Sequence, residues 1–259
     1  MAAGRHRGSA VASYGVRYAI GISALQVGWV LLLATGWTDP ARSIAFGFLV
    51  VCELSVPRWA ERASTTNWHP HHIAERYGLF TIILLGETVL AATAAVQRTL
   101  DADHVSASLV TVAACGLVLV FALWWLYFML PAGPGLEERR EHSYRWGYGH
   151  YGIFGALAAL GAGLEVAVEQ TSHDLQISDT GVSYAVAIPV AVFLVLLWAV
   201  HMTISSVPAL HRGAVLACTA LVLLLPIATP WAGTVAIVAA LTLSCVLLTA
   251  VTTAQRARD

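Results

Sequence analysis

The sequence predicts an all-α fold, a polytopic bundle of about eight transmembrane helices with both termini in the cytoplasm. Three observations predict it. Of 259 residues, 58% are hydrophobic and only 11% charged, whereas a soluble domain carries about a quarter charged residues. The apolar residues gather into eight long runs. The arginines cluster on alternate loops, as successive crossings of a membrane require. So little charge cannot cover a water-facing surface, and lipid removes that requirement. Helices follow because hydrocarbon offers the backbone no hydrogen-bond partner. A barrel would show ~10-residue alternating segments, which are absent. A net charge of -1 gives no basic field for nucleic acid, so the expected partner is the lipid bilayer.

The elements follow in order. The first run, Tyr18–Ala34, comes after Arg5, Arg7 and Arg17 and imitates a signal peptide. It is longer than a usual h-region and no A-x-A site follows, so a retained helix is expected. Ser43–Trp59 is similarly short. Ile73–Val96, Ser106–Leu130, Arg145–Val168 and Val182–Ser205 each exceed the ~20 residues that a ~30 Å hydrocarbon layer demands. Ala209–Ala228 and Trp231–Thr253 meet at a very short joint bracketed by Pro226 and Pro230. Together they are too long for one crossing, so two are expected. The chain reads as one membrane domain over residues 1–259, because its longest polar stretches are only the loops after Arg58 and after Pro131.

Arginine counting sets the orientation. There is no lysine. Arg5, Arg7, Arg17, Arg58, Arg62, Arg76, Arg139, Arg140, Arg145, Arg212, Arg256 and Arg258 fall on one side, and only Arg42 and Arg98 on the other. The first side is expected to be the cytoplasm. The loop Glu169–Asp179 carries three acids and no arginine, which suits the outer face.

A carboxylate at bilayer depth costs about 2.5–3.5 kcal/mol on insertion scales and is expected to face the protein interior. Three candidates for a ligand or proton site stand out: Glu87, Glu53 and Glu165. If the membrane begins near Arg76, Glu87 lies about 16 Å deep, on the same helix face as Arg76, Phe80 and Ile83. Its partner is expected from another helix, or it carries a proton. It reads either as a proton, ion or ligand site or as one end of a structural interhelical hydrogen bond. Glu53 and Glu165 lie nearer the ends of their helices and can reach the interface or an arginine.

The fifth run is rich in small residues, and Gly155, Ala159 and Gly163 form a ridge that permits close helix approach. His69, His71 and His72 precede the third helix, with His142, His150 and His201 expected toward the same side. Imidazoles bind transition metals. No H-E-x-x-H or Cys-His pattern accompanies them, so no metal site is expected; His69, His71 and His72 are the residues that would hold one. The four cysteines, Cys52, Cys115, Cys218 and Cys245, sit singly in apolar runs and read as small buried residues. Tryptophans and tyrosines, among them Trp59, Trp68, Trp124, Trp125, Tyr127 and Trp146, fall mostly near helix ends, as aromatic belts do. Nothing names a cofactor.

The stretch from His71 and His72 through Glu75, Arg76, Tyr77 and Gly78 to Gly86 and Glu87 resembles the signature of the bacterial low temperature requirement protein A family. Leu123-Trp124-Trp125-Leu126-Tyr127-Phe128 agrees, as does Gly149-His150-Tyr151 followed by Gly161-Ala162-Gly163-Leu164-Glu165. The resemblance covers roughly residues 15–255. It implies a multi-pass protein of the bacterial inner membrane, with His72, Glu75, Arg76, Gly78, Gly86 and Glu87 in the characteristic motif. It carries over no catalytic residue. Family members usually begin with a helix bearing a motif like E-L-F-F-D-L-V-F-V, and with further early spans, which this chain lacks. The partner expected is therefore a second copy, or another chain that supplies those helices.

Three functions compete. The first is transport of a small solute or ion, coupled to protons through Glu87 and served by His150 and Arg76. The second is a noncatalytic assembly or stress-response factor. The third is an intramembrane enzyme acting on a lipid-linked substrate, for which His72, Glu75 and His150 around one lipid-accessible pocket would be the sign. No catalytic spacing points to an enzyme.

Overall fold

The computed structural model describes residues 2–62, 68–101, 106–171, 176–205 and 211–258, with side chains described from Gly15 onward and, in the third helix, as far as Gln97. Ala209 and the side chains of Arg5, Arg7 and Arg98 lie outside the described residues. Every regular element among the described residues is helical, and eight helices are long and apolar enough to cross a membrane.

The chain forms two compact units, Met1–Trp68 and His69–Asp259. The first is a helical hairpin. Helix α1 (Ala2–Ala34) and helix α2 (Ala41–Glu61) extend past their predicted ends, because the polar residues flanking each apolar run continue the helix. Gly36 takes a positive φ of 60° just beyond α1, a conformation that glycine adopts at little cost. The two helices run antiparallel. Gly21 faces Val56 and Gly28 faces Leu49, both so close that an added Cβ would collide. Trp29 packs edge-on to Phe46 at 5.2 Å, and Arg17 lies over Trp59.

The second unit contains α3 (Pro70–Asp101), α4 (Ala107–Phe128), the short α5 (Ala132–Glu138), α6 (Ser143–Glu169), α7 (Asp179–Ile204), α8 (Arg212–Leu224), the single turn α9 (Thr229–Ala232) and α10 (Thr234–Arg256). Its crossings form a round of neighbours: α3 against α6, α6 against α7, α7 against α8, α8 against α10, α10 against α4, and α4 back against α3. Ser106 and Ser178 cap α4 and α7 by accepting from the backbone N–H groups of Leu109 and Gly181. The seventh crossing is Arg212–Ala232. It changes to a 3-10 turn at Leu225–Ala228, where Pro226 removes a backbone donor. Gly233, at φ 79°, then starts α10.

Lipid gives helices no hydrophobic reason to associate, so small residues and interhelical hydrogen bonds hold the bundle. Thr88 donates to the Leu157 carbonyl across α3 and α6 at 3.3 Å. Thr242 donates to the Cys115 carbonyl across α10 and α4 at 3.1 Å, and Thr229 to Ser183 at 3.0 Å.

The glycines of α6 divide among several faces. Gly149, Gly152 and Gly163 meet Val200, Leu196 and the Ala185 carbonyl of α7, while Gly147 and Gly161 meet Tyr77 and Thr88 of α3. The expected ridge of Gly155, Ala159 and Gly163 needs correction. Gly155 and Ala159 are exposed, and only Gly163 enters a close helix contact. The register that faces α7 is set by Gly149 and Gly152, which lie away from Gly155 around the helix.

Candidate functional site

The site is built where α3 begins, α4 ends, α5 crosses and α7 ends. The backbone turns at Pro131, which lacks a donor and favours extended geometry before the short α5. Gly133 and Gly135 then let α5 press against His71 and the Ile204 carbonyl, where no side chain would fit. Leu136 anchors this turn and is buried. The stretch after Pro131, expected as a polar loop, is thus a helical wall seated between α3 and α7.

Behind this wall lies a cavity of about 660 Å³. One face of α3 lines it at helical spacing: His71, Ala74, Glu75, Gly78, Leu79 and Ile82. Tyr127, Phe128 and Leu130 line it from α4, Trp146 from α6 and His201 from α7.

Two histidines fasten the helices around it. His150 is fully buried. Its Nδ1 lies 2.7 Å from the Trp146 carbonyl, and its Nε2 lies 3.1 Å from the Tyr127 hydroxyl. A carbonyl only accepts, so Nδ1 carries the proton and Nε2 accepts from Tyr127. The tautomer is thereby fixed. Tyr77 packs edge-on to the imidazole at 4.9 Å, and Trp146 lies 4.2 Å away. His201 lies 3.1 Å from each of two carbonyls, those of Leu197 and Leu130, and so ties α7 to the end of α4. Arg256 of α10 donates to the Met129 carbonyl and satisfies another acceptor at the same helix end.

Trp146 is only 1% exposed, and its Nε1–H meets no hydrogen-bond partner among the described residues. At the mouth, Glu75 lies 3.4 Å from His72, and His71 lies 3.5 Å from Glu137. All four side chains are exposed enough for these pairs to contribute little to stability.

The sequence candidates separate. Glu75 and Gly78 line the cavity, and His150 reaches it through Tyr127. His72 lies outside it as the partner of Glu75. Glu87 is near the middle of the crossing Pro70–Gln97, but it is not in the cavity. It shares an exposed face with Arg76, Phe80, Ile83 and Gly86. The four residues from Arg76 to Glu87 do share a face, as expected. That face is not the interior one, because Gly78, Thr81, Leu85 and Thr88 occupy the buried side of α3. Arg76 stands about 16 Å from Glu87 along the helix and does not pair with it. Glu53 is half-buried in the hairpin and accepts from Trp29 Nε1 at 2.8 Å. Glu165 is half-buried near the far end of α6. No three His, Cys, Asp or Glu side chains among the described residues come together to hold a metal. The rings of His69 and His71 lie 6.1 Å apart and tilted to one another, and His72 turns to Glu75. The four cysteines are free thiols.

Sequence reasoning missed Tyr127, Trp146 and His201 as site residues. Tyr127 and Trp146 passed as aromatic-belt residues; Trp146 stands one turn before His150 on α6, and only the packing of α4 on α6 brings Tyr127 to it. The signal for Tyr127 was its place in the second family-like stretch.

These features define a multi-pass α-helical membrane protein with a pocket let into one end of its bundle. The chain belongs to the family described as bacterial low temperature requirement A protein, which matches residues 1–252. No curated protein and no solved structure matches it.

Proposed function

We propose that this protein transports a small solute or ion across the bacterial inner membrane, with the cavity beside α3 as its binding site. The observation that carries the reading is that cavity. It is large enough for a small molecule, apolar over most of its wall, and furnished with Glu75, His71, Tyr127 and His201. The arginine bias supports a cytoplasmic position for this end. Glu87 lies outside that cavity, on the exposed face of α3 near mid-membrane, and enters as the proton-accepting group on its depth and on the cost of leaving a carboxylate in hydrocarbon.

Proton movement in proteoliposomes, read with a pH-sensitive dye under a clamped potential, tests this. The wild type is expected to pass protons, and Glu87→Gln and Glu75→Gln to reduce the rate at least tenfold. Equal rates in wild type and Glu87→Gln would remove Glu87 from the mechanism. No flux in any of the three would favour the noncatalytic assembly role.

A second reading, an intramembrane enzyme on a lipid-linked substrate, draws on Glu75 and the Tyr127–His150 pair at one cavity. Both carry groups suited to proton transfer. Incubating the purified protein with radiolabelled lipid-linked sugars tests it, and absence of turnover would dismiss it.

A further inference from the structure

We infer that the cavity receives a small organic cation, with an ammonium group set against Glu75 at the rim and an apolar body lodged beside Leu79, Ile82 and Phe128. This inference rests on the reading of the cavity as the binding site and names the class of solute.

The sign of the charge follows from the wall. Glu75 is its only acidic side chain other than the Tyr127 phenol, and no arginine lines it. Its remaining titratable groups are the imidazoles of His71 and His201, and an imidazole is charged only when protonated. Arg256 reaches the end of α4 but donates to the Met129 carbonyl, outside the wall. An anion would therefore leave water to meet a carboxylate and no fixed cation. An inorganic cation asks for several ligands at once, and no three His, Cys, Asp or Glu side chains gather among the described residues. An organic ammonium needs one carboxylate and a place for its hydrocarbon.

The wall provides the two separately. Its deeper polar groups are committed within the protein. The Tyr127 hydroxyl donates to His150, both nitrogens of His201 lie against carbonyls, and the Trp146 N–H is enclosed by protein. Glu75 is left as the charged group that a ligand meets. Its Oε2 lies 3.4 Å from His72, in an exposed pair of little strength, and Oε1 remains for the ammonium. Beyond Glu75 the surface is apolar. Gly78 carries no side chain, and a Cβ there would come within 3.2 Å of the Phe128 ring. Leu79 and Ile82 line the cavity and are themselves 60% and 46% exposed. From Glu75 to Ile82 is seven residues, or about 10 Å along the axis. That length suits an amine with an aryl or short alkyl body. A charge pair beside so apolar a wall is also stronger than one in open water.

Equilibrium dialysis of the purified full-length protein at pH 8, read against a protein-free detergent blank, tests this. The radiolabelled probes are 2-phenylethylamine, 2-phenylethanol and 3-phenylpropionate, which share a ring and a two-carbon stem and differ in charge. At this pH an alkylamine is protonated and a free carboxyl ionised. The wild type is expected to bind the amine at least tenfold more tightly than the alcohol, and the carboxylate most weakly. Glu75→Gln is expected to bring the amine down to the affinity of the alcohol, a loss of about tenfold, the effect of one hydrogen bond to a charged group. Glu138→Gln removes an exposed carboxylate that does not line the cavity and is expected to leave the preference intact. Ile82→Trp fills the cavity from an exposed position and is expected to weaken binding of all three probes. Equal affinity of the wild type for the three, a preference that survives Glu75→Gln or is lost equally in Glu138→Gln, or binding unchanged in Ile82→Trp, would overturn the inference. Amine bound as expected by a protein whose proteoliposomes pass neither protons nor amine would sink the transport reading alone. Proton flux that needs Glu87, with no preference for the amine, would sink this inference alone.

Discussion

Tyr127 and His150 show how a single polar pair is constrained inside an apolar bundle. The Trp146 carbonyl dictates where the imidazole proton sits, and that leaves Nε2 able only to accept. Tyr127 supplies the proton from a different helix. Removing the hydroxyl alone strands a buried acceptor. Tyr127→Phe is therefore expected to destabilise the protein by about 1–3 kcal/mol, the cost of an unsatisfied buried group. Replacing both partners removes the orphan, so Tyr127→Phe with His150→Phe is expected to lose less than the two single changes summed. Thermal unfolding of the four proteins in one detergent measures this. A double mutant whose loss equals the sum would mean that the two side chains do not interact. His150 was legible in the sequence as a candidate through the family-like stretch Gly149-His150-Tyr151. The identity of its partner was not legible. Tyr127 lies 23 residues away, in a stretch whose aromatic residues are accounted for equally well by the membrane interface.

At the level of elements, α6 illustrates what composition conveys and what it withholds. Its glycines announced close packing, and close packing is what α3 and α7 make of it. Their number did not say which face met which neighbour, because glycines occur on several faces of the helix and only tertiary contact tells them apart. The chosen ridge was accordingly right at Gly163 and misplaced at Gly155 and Ala159. The distinction is measurable. A Cβ at position 163 would run into the Ala185 carbonyl, a backbone atom that cannot move aside cheaply, whereas a Cβ at position 155 meets nothing within 4 Å. Gly163→Ala is expected to cost about 1–3 kcal/mol through overpacking. Gly155→Ala is expected to be neutral or to gain up to about 1 kcal/mol, because alanine favours the helix. Unfolding in mixed detergent micelles with rising dodecyl sulfate reads both. Equal behaviour of the two variants would contradict the α6–α7 contact. The short α5 was illegible for a different reason. Seven residues containing two glycines and a proline have no helical periodicity to detect, and only its seat between His71 and Ile204 holds it as a helix.

For the whole molecule, the eight crossings were legible because two independent signals agreed, apolar length and the alternation of arginine. Length alone left the last two runs ambiguous at Pro226 and Pro230. Had they formed one element, Arg256 and Arg258 would have fallen on the side opposite the other arginines. The structure breaks them into Arg212–Ala232 and Thr234–Arg256, two crossings joined at Gly233. An even number of crossings would return the chain to the side from which it started, so both termini are expected on one side. Translocation penalises arginine near the ends of a crossing far more than it penalises acids, so the side that holds twelve arginines is expected to be the one not moved across. Both termini are therefore expected in the cytoplasm, and the loop between α6 and α7 outside. A fluorescent protein fused after Asp259 is expected to glow, since it matures in the cytoplasm. Alkaline phosphatase fused in the α6–α7 loop is expected to be active, since it needs the oxidising side. Active phosphatase at the C-terminus would invert the topology. The cavity beside α3 would then open to the exterior, and Glu75 would meet a substrate arriving from outside the cell.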